Sequence, residues 1–309
     1  MLITEQSGAV LTAAMNNPPF NFLDTPLMLE LERLIERVDR DPGVRAVIIT
    51  SAVPEVFISH YDVGEILQGA ERMPLPVPVP LAAAALRGLA PLRRVPGVRA
   101  LLDRGPTAGV AGLLRYHAVI ARMRRSSTVF VAAINGRALG GGLELALGCD
   151  IRVMADGPYE IGQPEILIGL LPGGGGIQAL SRSVGISATV EMVLEGRPLT
   201  PRQALDAGIL HHLTAPDRTI AVATEIAERL SRRSPAAVRA IKHAAYAGAA
   251  LNRGLAMERN SFLALATRRD TRQAMRDYRD TVGAYERSGA GLPGFVAEQL
   301  PRLLRGREW

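Results

Sequence analysis

The chain is short of several residue types, and each shortage closes a route. A single cysteine, Cys149, in 309 residues excludes an internal disulfide and a cysteine-rich zinc site. It lies in an apolar run and reads as a small core residue. No uninterrupted apolar run of about 18 residues occurs, so no membrane-spanning helix is expected. The stretch MLITEQSGAV passes almost directly into a strand pattern, without the layout of a signal peptide, and a reduced cytoplasmic location is the expectation. Aromatics are only 4% and are not interleaved with basic residues. Nucleic-acid binding is therefore not expected, despite a net charge of +6 and a pI near 10. Lysine is almost absent: Lys242 is the only one among 36 basic residues, so the positive surface is arginine and suits phosphate groups.

Motifs for common chemistries are missing too. Neither GGGLEL nor PGGGGIQ satisfies Gly-x-Gly-x-x-Gly, and there is no Gly-Lys-Ser/Thr and no Gly-x-Ser-x-Gly. His211 and His212 fall on a strand pattern, where consecutive side chains face opposite ways, so they do not form a joint metal site. No metal and no separate cofactor is expected.

What is present centres on two glutamates. Glu144 lies in LGGGLELALGCD (139–150) and Glu165 in IGQPEILIGLLPGGGGIQAL (161–180). Two carboxyls brought to one point can hold a water, remove one proton and return another, provided burial and mutual repulsion separate their pKa values. Gly140, Gly141 and Gly142 stand where the strand 128–134 gives way to an apolar helical run, 143–148. A helix amino end there would offer unpaired N–H groups to an oxygen that becomes negative, with Gly141 as the candidate donor. A close-packed turn would need the same glycines.

These blocks resemble the crotonase, or enoyl-CoA hydratase/isomerase, superfamily. NGRALGGGLELALGCDIRVM (135–154) is similar to the family's second oxyanion and first glutamate block, and GQPEILIGLLPGGGGIQAL (162–180) to its second glutamate block. VFISHYDVGEI (56–66), after the strand 45–50, takes the place of its first oxyanion segment. The likeness covers roughly residues 8–70 and 115–250. It implies an α/β fold, a spiral of β-β-α turns over 1–216 followed by a helical oligomerisation region over 217–309, assembled as a trimer or a dimer of trimers. It also implies that the backbone N–H groups of Tyr61 and Gly141 hold the thioester carbonyl of an acyl-coenzyme A, with Glu144 and Glu165 facing its Cα and Cβ. Ser59, His60, Asp62, Gly140, Pro164 and Gly173 are the implied substrate neighbours. Both glutamates being present favours hydration over isomerisation. Other crotonase chemistries (isomerase, thioester hydrolase, C–C lyase) and a catalytically weak acyl-CoA-binding protein are the alternatives. The family's small Ala-Gly-Ala is Ser59-His60-Tyr61 here, so His60 and Tyr61 either pack beside the loop or narrow the acyl pocket.

The pattern of elements alternates strand and helix up to residue 216 and is helical beyond it. A strand is expected at 8–14 and a helix at 26–40 with Thr25 as N-cap; Thr200-Pro201-Arg202-Gln203 reads as a capping box and Ser234-Pro235 as a helix start. Arg268 and Arg269 read as solvated surface. Residues 70–115 form an insertion, opening with Pro74, Pro76, Pro78 and Pro80 in an extended path and continuing as short helices broken near Pro91, Pro96 and Pro106. Asp103 is the lone acid between Arg72 and Leu143. The insertion has three readings: a lid or wall for the acyl group, a face for an anionic membrane or acidic carrier, or a surface excursion serving oligomer contacts.

Overall fold

A computed structural model describes residues 1–73, 75–92, 95, 97–98, 102, 108–289 and 291–304. Gly8, with φ of +55°, closes a hairpin between β1 (Leu2–Ser7) and β2 (Val10–Met15). The strand expected at 8–14 is thus the second of a pair. Its partner gives little hydrophobic signal because β1 is an exposed edge.

Helix α1 (Thr25–Val38) buries Leu27, Leu31, Leu34, Ile35 and Val38, the stripe its sequence presents. Its cap is Asp24 and not Thr25. The Asp24 carboxylate accepts from Leu27 N–H at 2.9 Å, whereas the Thr25 hydroxyl is taken by Glu65 Oε2 at 2.7 Å.

Three β-β-α turns follow, as the resemblance implies. The first is β3 (Ala46–Ser51), β4 (Glu55–Ile58) and α2 (Val63–Glu71). After α3 (Val79–Leu92) and α4 (Ala108–Arg125) comes the second: β5 (Val129–Ile134), β6 (Gly136–Leu139) and α5 (Gly141–Gly148). The third has β7 (Ile151–Ala155), β8 (Ile161–Gly162), a 3-10 turn (Glu165–Ile168), α6 (Gly176–Ser183) and α7 (Ile186–Glu195). Then come α8 (Pro201–Asp206), β9 (His212–Thr214), α9 (Thr219–Ser231), α10 (Pro235–Tyr246), α11 (Ala249–Ala266), α12 (Arg269–Ser288) and α13 (Gly291–Leu304). The first strands of each turn join a six-stranded sheet of order β1-β2-β3-β5-β7-β9, parallel after the hairpin; the second strands form a parallel sheet of order β4-β6-β8.

Both faces of the larger sheet are covered, which explains the unbroken apolar runs of β3 and β5. Leu11, Val47, Ile49 and Phe130 pack toward α1, while Val10, Ile48 and Val131 pack on Ala223, Ile226 and Ala227 of α9. The core therefore continues past residue 216. Lys242 of α10 is tied beneath the sheet: its ammonium lies 2.7 Å from Asp150 Oδ2, donates to the Thr128 carbonyl at 2.9 Å and sits 5.0 Å from the Phe130 ring centre.

Of the insertion, residues 75–78 lead without regular structure into α3, which begins beside Pro80. This helix ends at Leu92, one residue past Pro91, in keeping with the expected break near that proline; Pro91 stands in the last turn, where the missing N–H costs one terminal bond. Pro74, Pro96, Asp103 and Pro106 lie outside the described residues. Ala82 and Leu86 of α3 pack with Val110 and Leu114 of α4 and Leu263 of α11, so α3 braces other helices from behind. Arg268 and Arg269 are on the surface, with Arg268 paired to Asp270 at 2.7 Å.

Asn21 ties the chain ahead of α1 to the first turn of the spiral. It has φ of +50° and is fully buried. Its amide donates to Phe57 O at 2.5 Å and Ser51 Oγ at 3.0 Å, and accepts from Asn17 N–H at 2.9 Å. Asn21→Ala leaves these groups unmatched and is expected to cost about 2 kcal/mol, read as a lowered urea midpoint at unchanged m-value. A loss below about 0.5 kcal/mol would mean that the network contributes nothing net.

Candidate active site

Tyr61 forms an isolated parallel bridge with Leu23. In such a bridge the residues flanking one partner carry the bonds. Leu23 N–H goes to His60 O at 3.0 Å and Asp62 N–H to Leu23 O at 3.2 Å. The Tyr61 N–H is left without an acceptor among the described residues. Gly140 takes φ of +51°, donates to Gly162 O at 2.9 Å and hands the chain into α5, whose first N–H, on Gly141, is an orphan of the helix start. A Cβ on Gly141 would fall 3.4 Å from Tyr61 N, so the two N–H groups are neighbours. The Tyr116 hydroxyl hydrogen-bonds the Gly141 carbonyl and fixes this peptide from behind. The strand β6 lies between β5 and the glycines; the sequence reading passed directly from strand to helix.

Glu144 sits in the first turn of α5, 4% exposed. Its Oε1 accepts from Gly174 N–H at 2.7 Å and Gly176 N–H at 2.9 Å. Burial pushes its carboxyl up to about 7, against the pull of these two donors and of Arg124. Glu165, at the start of the 3-10 turn, is also raised well above the usual carboxyl value, first by burial and then by the charge of Glu144. Its Oε1 would lie 2.9 Å from a Cβ on Gly140. One terminal atom of the Gln163 carboxamide approaches both its oxygens, at 2.8 and 3.0 Å.

The structure brings Tyr61, Gly141, Glu144 and Glu165 to one cavity of about 410 Å³. Gly140, Pro164 and Gly173 line it as well. Ser59 and His60 line it too, each with bonds of its own, whereas Asp62 is not part of the lining. The Ser59 hydroxyl donates to Phe20 O, and Asp62 caps α2 through Gly64 N–H at 2.7 Å and Glu65 N–H at 3.4 Å. His60 contacts Tyr61 O through Nδ1 and the Tyr278 hydroxyl through Nε2, both at 2.7 Å, and packs on Phe22. Burial keeps its imidazole below the usual value. With both nitrogens taken, His60 bolts the Tyr61 turn to α12.

The rest of the wall is largely apolar: Ile66 and Ala70 of α2, Leu113 of α4, Phe262 of α11, and Phe295 and Leu300 of α13. Tyr116, Gln163, Glu258 and the α13 residues escaped the sequence reading. Gln163 alone carried a signal, standing two residues before Glu165 within the second glutamate block.

Comparison with known proteins agrees with this geometry. The family described as enoyl-CoA hydratase/isomerase matches residues 5–74 and 114–285, breaking where the insertion lies. The 2,3-dehydroadipyl-CoA hydratase of Escherichia coli (strain K12) is 41% identical over 157 residues, 50% of this chain and 61% of that protein. The short-chain-enoyl-CoA hydratase of Clostridium acetobutylicum is 28% identical over 264 residues, 85% of each chain. The crystal structure of human mitochondrial delta3-delta2-enoyl-CoA isomerase superposes with a TM-score of 0.70 at 22% identity, over 92% of this chain and 98% of that one; at this identity the likeness concerns the fold.

Proposed function

The chain belongs to the enoyl-CoA hydratase/isomerase family, within the crotonase superfamily, and from that premise we propose that it adds water in syn fashion to trans-2-enoyl-CoA, giving 3-hydroxyacyl-CoA. The observation that carries the reading is the pair of buried glutamates in one cavity, both raised by burial, beside two neighbouring N–H groups with no acceptor among the described residues.

The thioester carbonyl accepts from Tyr61 N–H and Gly141 N–H. As the double bond is attacked, negative charge moves onto that oxygen, and donors already in place stabilise it without reorganising; each such donor contributes roughly 3 kcal/mol. Glu144 takes a proton from the water that attacks Cβ. Glu165 gives its proton to Cα. Gln163 suits this exchange, because a carboxamide accepts from a protonated Glu165 and, turned over, donates to the ionised one. Coenzyme A enters as part of the substrate, and no further cofactor takes part. The apolar walls from α2, α11 and α13 suit an acyl chain longer than crotonyl, and α3 steadies the Leu263 side of that wall. Assembly as a trimer or dimer of trimers belongs to the same reading.

The test is incubation with trans-2-enoyl-CoA thioesters of short, medium and long chain, following loss of the conjugated absorbance. Intact acyl-CoA binding without hydration at any length would overturn the assignment in favour of another chemistry on this fold, or of a binding protein. The pH dependence is a second check. The base must be ionised and the acid protonated, so kcat/KM is expected to rise with pH through about 7 and to fall again at higher pH, the two limbs belonging to the coupled pair. A profile flat across pH 6–8 would contradict it. The stability sign is opposite. Glu144 is raised from 4.5 to about 7 in the folded state, so folding takes up a proton between these values and this contribution is lost as pH rises through that window.

A further inference from the structure

The amino end of α6 offers more backbone donors than Glu144 uses. Gly174 and Gly176 point at Glu144. From the other side, Gln178 N–H donates to Glu258 Oε2 at 3.2 Å, and the N–H groups of Gly175 and Ile177 also turn toward that carboxyl. Glu258 comes from α11, is 5% exposed, and its Oε1 has no partner among the described residues.

The same face of α11 seats the whole loop. A Cβ on Gly173 would come within 2.5 Å of Phe262, one on Gly175 within 2.9 Å of Leu255, and one on Gly254 within 2.2 Å of the Gln178 side chain. Gly175 needs its φ of +103° to make the turn. The loop is therefore held between two carboxyls that divide one set of N–H groups.

We propose that Glu258 is a positioning residue for Glu144: by gathering the outer N–H groups of this loop, it fixes the inner ones that hold the catalytic carboxylate. The inference rests on the hydration reading for its kinetic consequence, though not for its geometry. Arg124 and Tyr116 of α4 and Glu165 of the 3-10 turn are the other titratable groups facing the two carboxyls. Burial raises Glu258 to about 8, so near neutral pH it serves mainly as a neutral acceptor and adds little charge beside Glu144.

Glu258→Ala and Glu258→Gln of the full chain form the test. In Glu258→Ala the loop loses its outer anchor. The donors to Glu144 slacken, the acid limb of kcat/KM moves to higher pH, and kcat falls roughly 100-fold with KM little changed. Glu258→Gln keeps an acceptor oxygen and is expected to restore most of kcat and the position of the limb. The ¹³C-carboxyl titration of Glu144 without substrate, assigned by subtraction of Glu144→Gln, should move upward in Glu258→Ala and return in Glu258→Gln. A folded Glu258→Ala with the wild-type limb and the wild-type Glu144 titration overturns the proposal. If wild type hydrates nothing, the hydration reading fails alone and the carboxyl titration still decides the role of Glu258. Should the alanine variant not fold, Glu258→Asp, which withdraws the carboxyl by one carbon, decides by the same two readouts.

Discussion

Glu144→Gln is expected to lower kcat for enoyl-CoA hydration about a thousandfold while acyl-CoA binding persists. The amide oxygen of glutamine can still accept from Gly174 and Gly176, so the loop and the pocket keep their shape. On the hydration proposal, what disappears is the lone pair that would take the proton from water. The same proposal has the substrate carbonyl held by the backbone of Tyr61 and Gly141, so its affinity should not depend on that carboxylate. Glu165→Gln should fall by a comparable factor for the complementary reason, since an amide cannot deliver a proton to Cα. The two losses will not add in the double variant, because the residues act on one event. Isothermal titration with a saturated acyl-CoA, beside the absorbance assay, separates binding from turnover. A single variant within tenfold of wild type would remove that residue from the acid–base pair.

Gly174→Ala is expected to cost at least roughly 100-fold in kcat/KM. A Cβ there would lie 2.1 Å from Tyr116 Cε1 and 2.6 Å from Glu144 Oε2. The Tyr116 ring has nowhere to go, being buried at 2% exposure and pinned by its hydroxyl to the Gly141 carbonyl. One methyl group thus pushes on Glu144, the proposed base, on one of its two donors and on the Gly141 peptide. Overpacking of this kind also costs about 1–3 kcal/mol of stability, so urea unfolding should accompany the kinetics. An alanine variant with wild-type kcat/KM would show that the loop yields freely, contrary to its tight seating on α11.

Local geometry made some of this readable in sequence. The capping box at Thr200 forms as spaced, with Gln203 N–H to Thr200 Oγ1 at 3.2 Å and Thr200 N–H to Gln203 Oε1 at 2.9 Å. Gly140 and the residues around Glu144 and Glu165 carry a pattern set by turns and helix starts, and they meet in the cavity. Elements without periodicity stayed hidden. The four residues of β6 are too few to alternate, and β1 lies exposed on one edge. The contacts that finish the site cross long stretches of chain: Tyr278 reaches His60 over 218 positions and Glu258 reaches Gln178 over 80. Nothing local in α11 or α12 distinguishes Glu258 or Tyr278 from other residues of an amphipathic helix.

The tethering of Lys242 has a chemical consequence. Thioesters slowly acylate free amines, and a protein that concentrates such electrophiles exposes its own side chains to them. Here the only ε-amine is 6% exposed, ion-paired to Asp150 and donated to a carbonyl, so its lone pair is not free to attack. The remaining positive side chains are guanidinium groups, which stay protonated and are poor nucleophiles. The arginine surface can attract an anionic thioester without being modified by it.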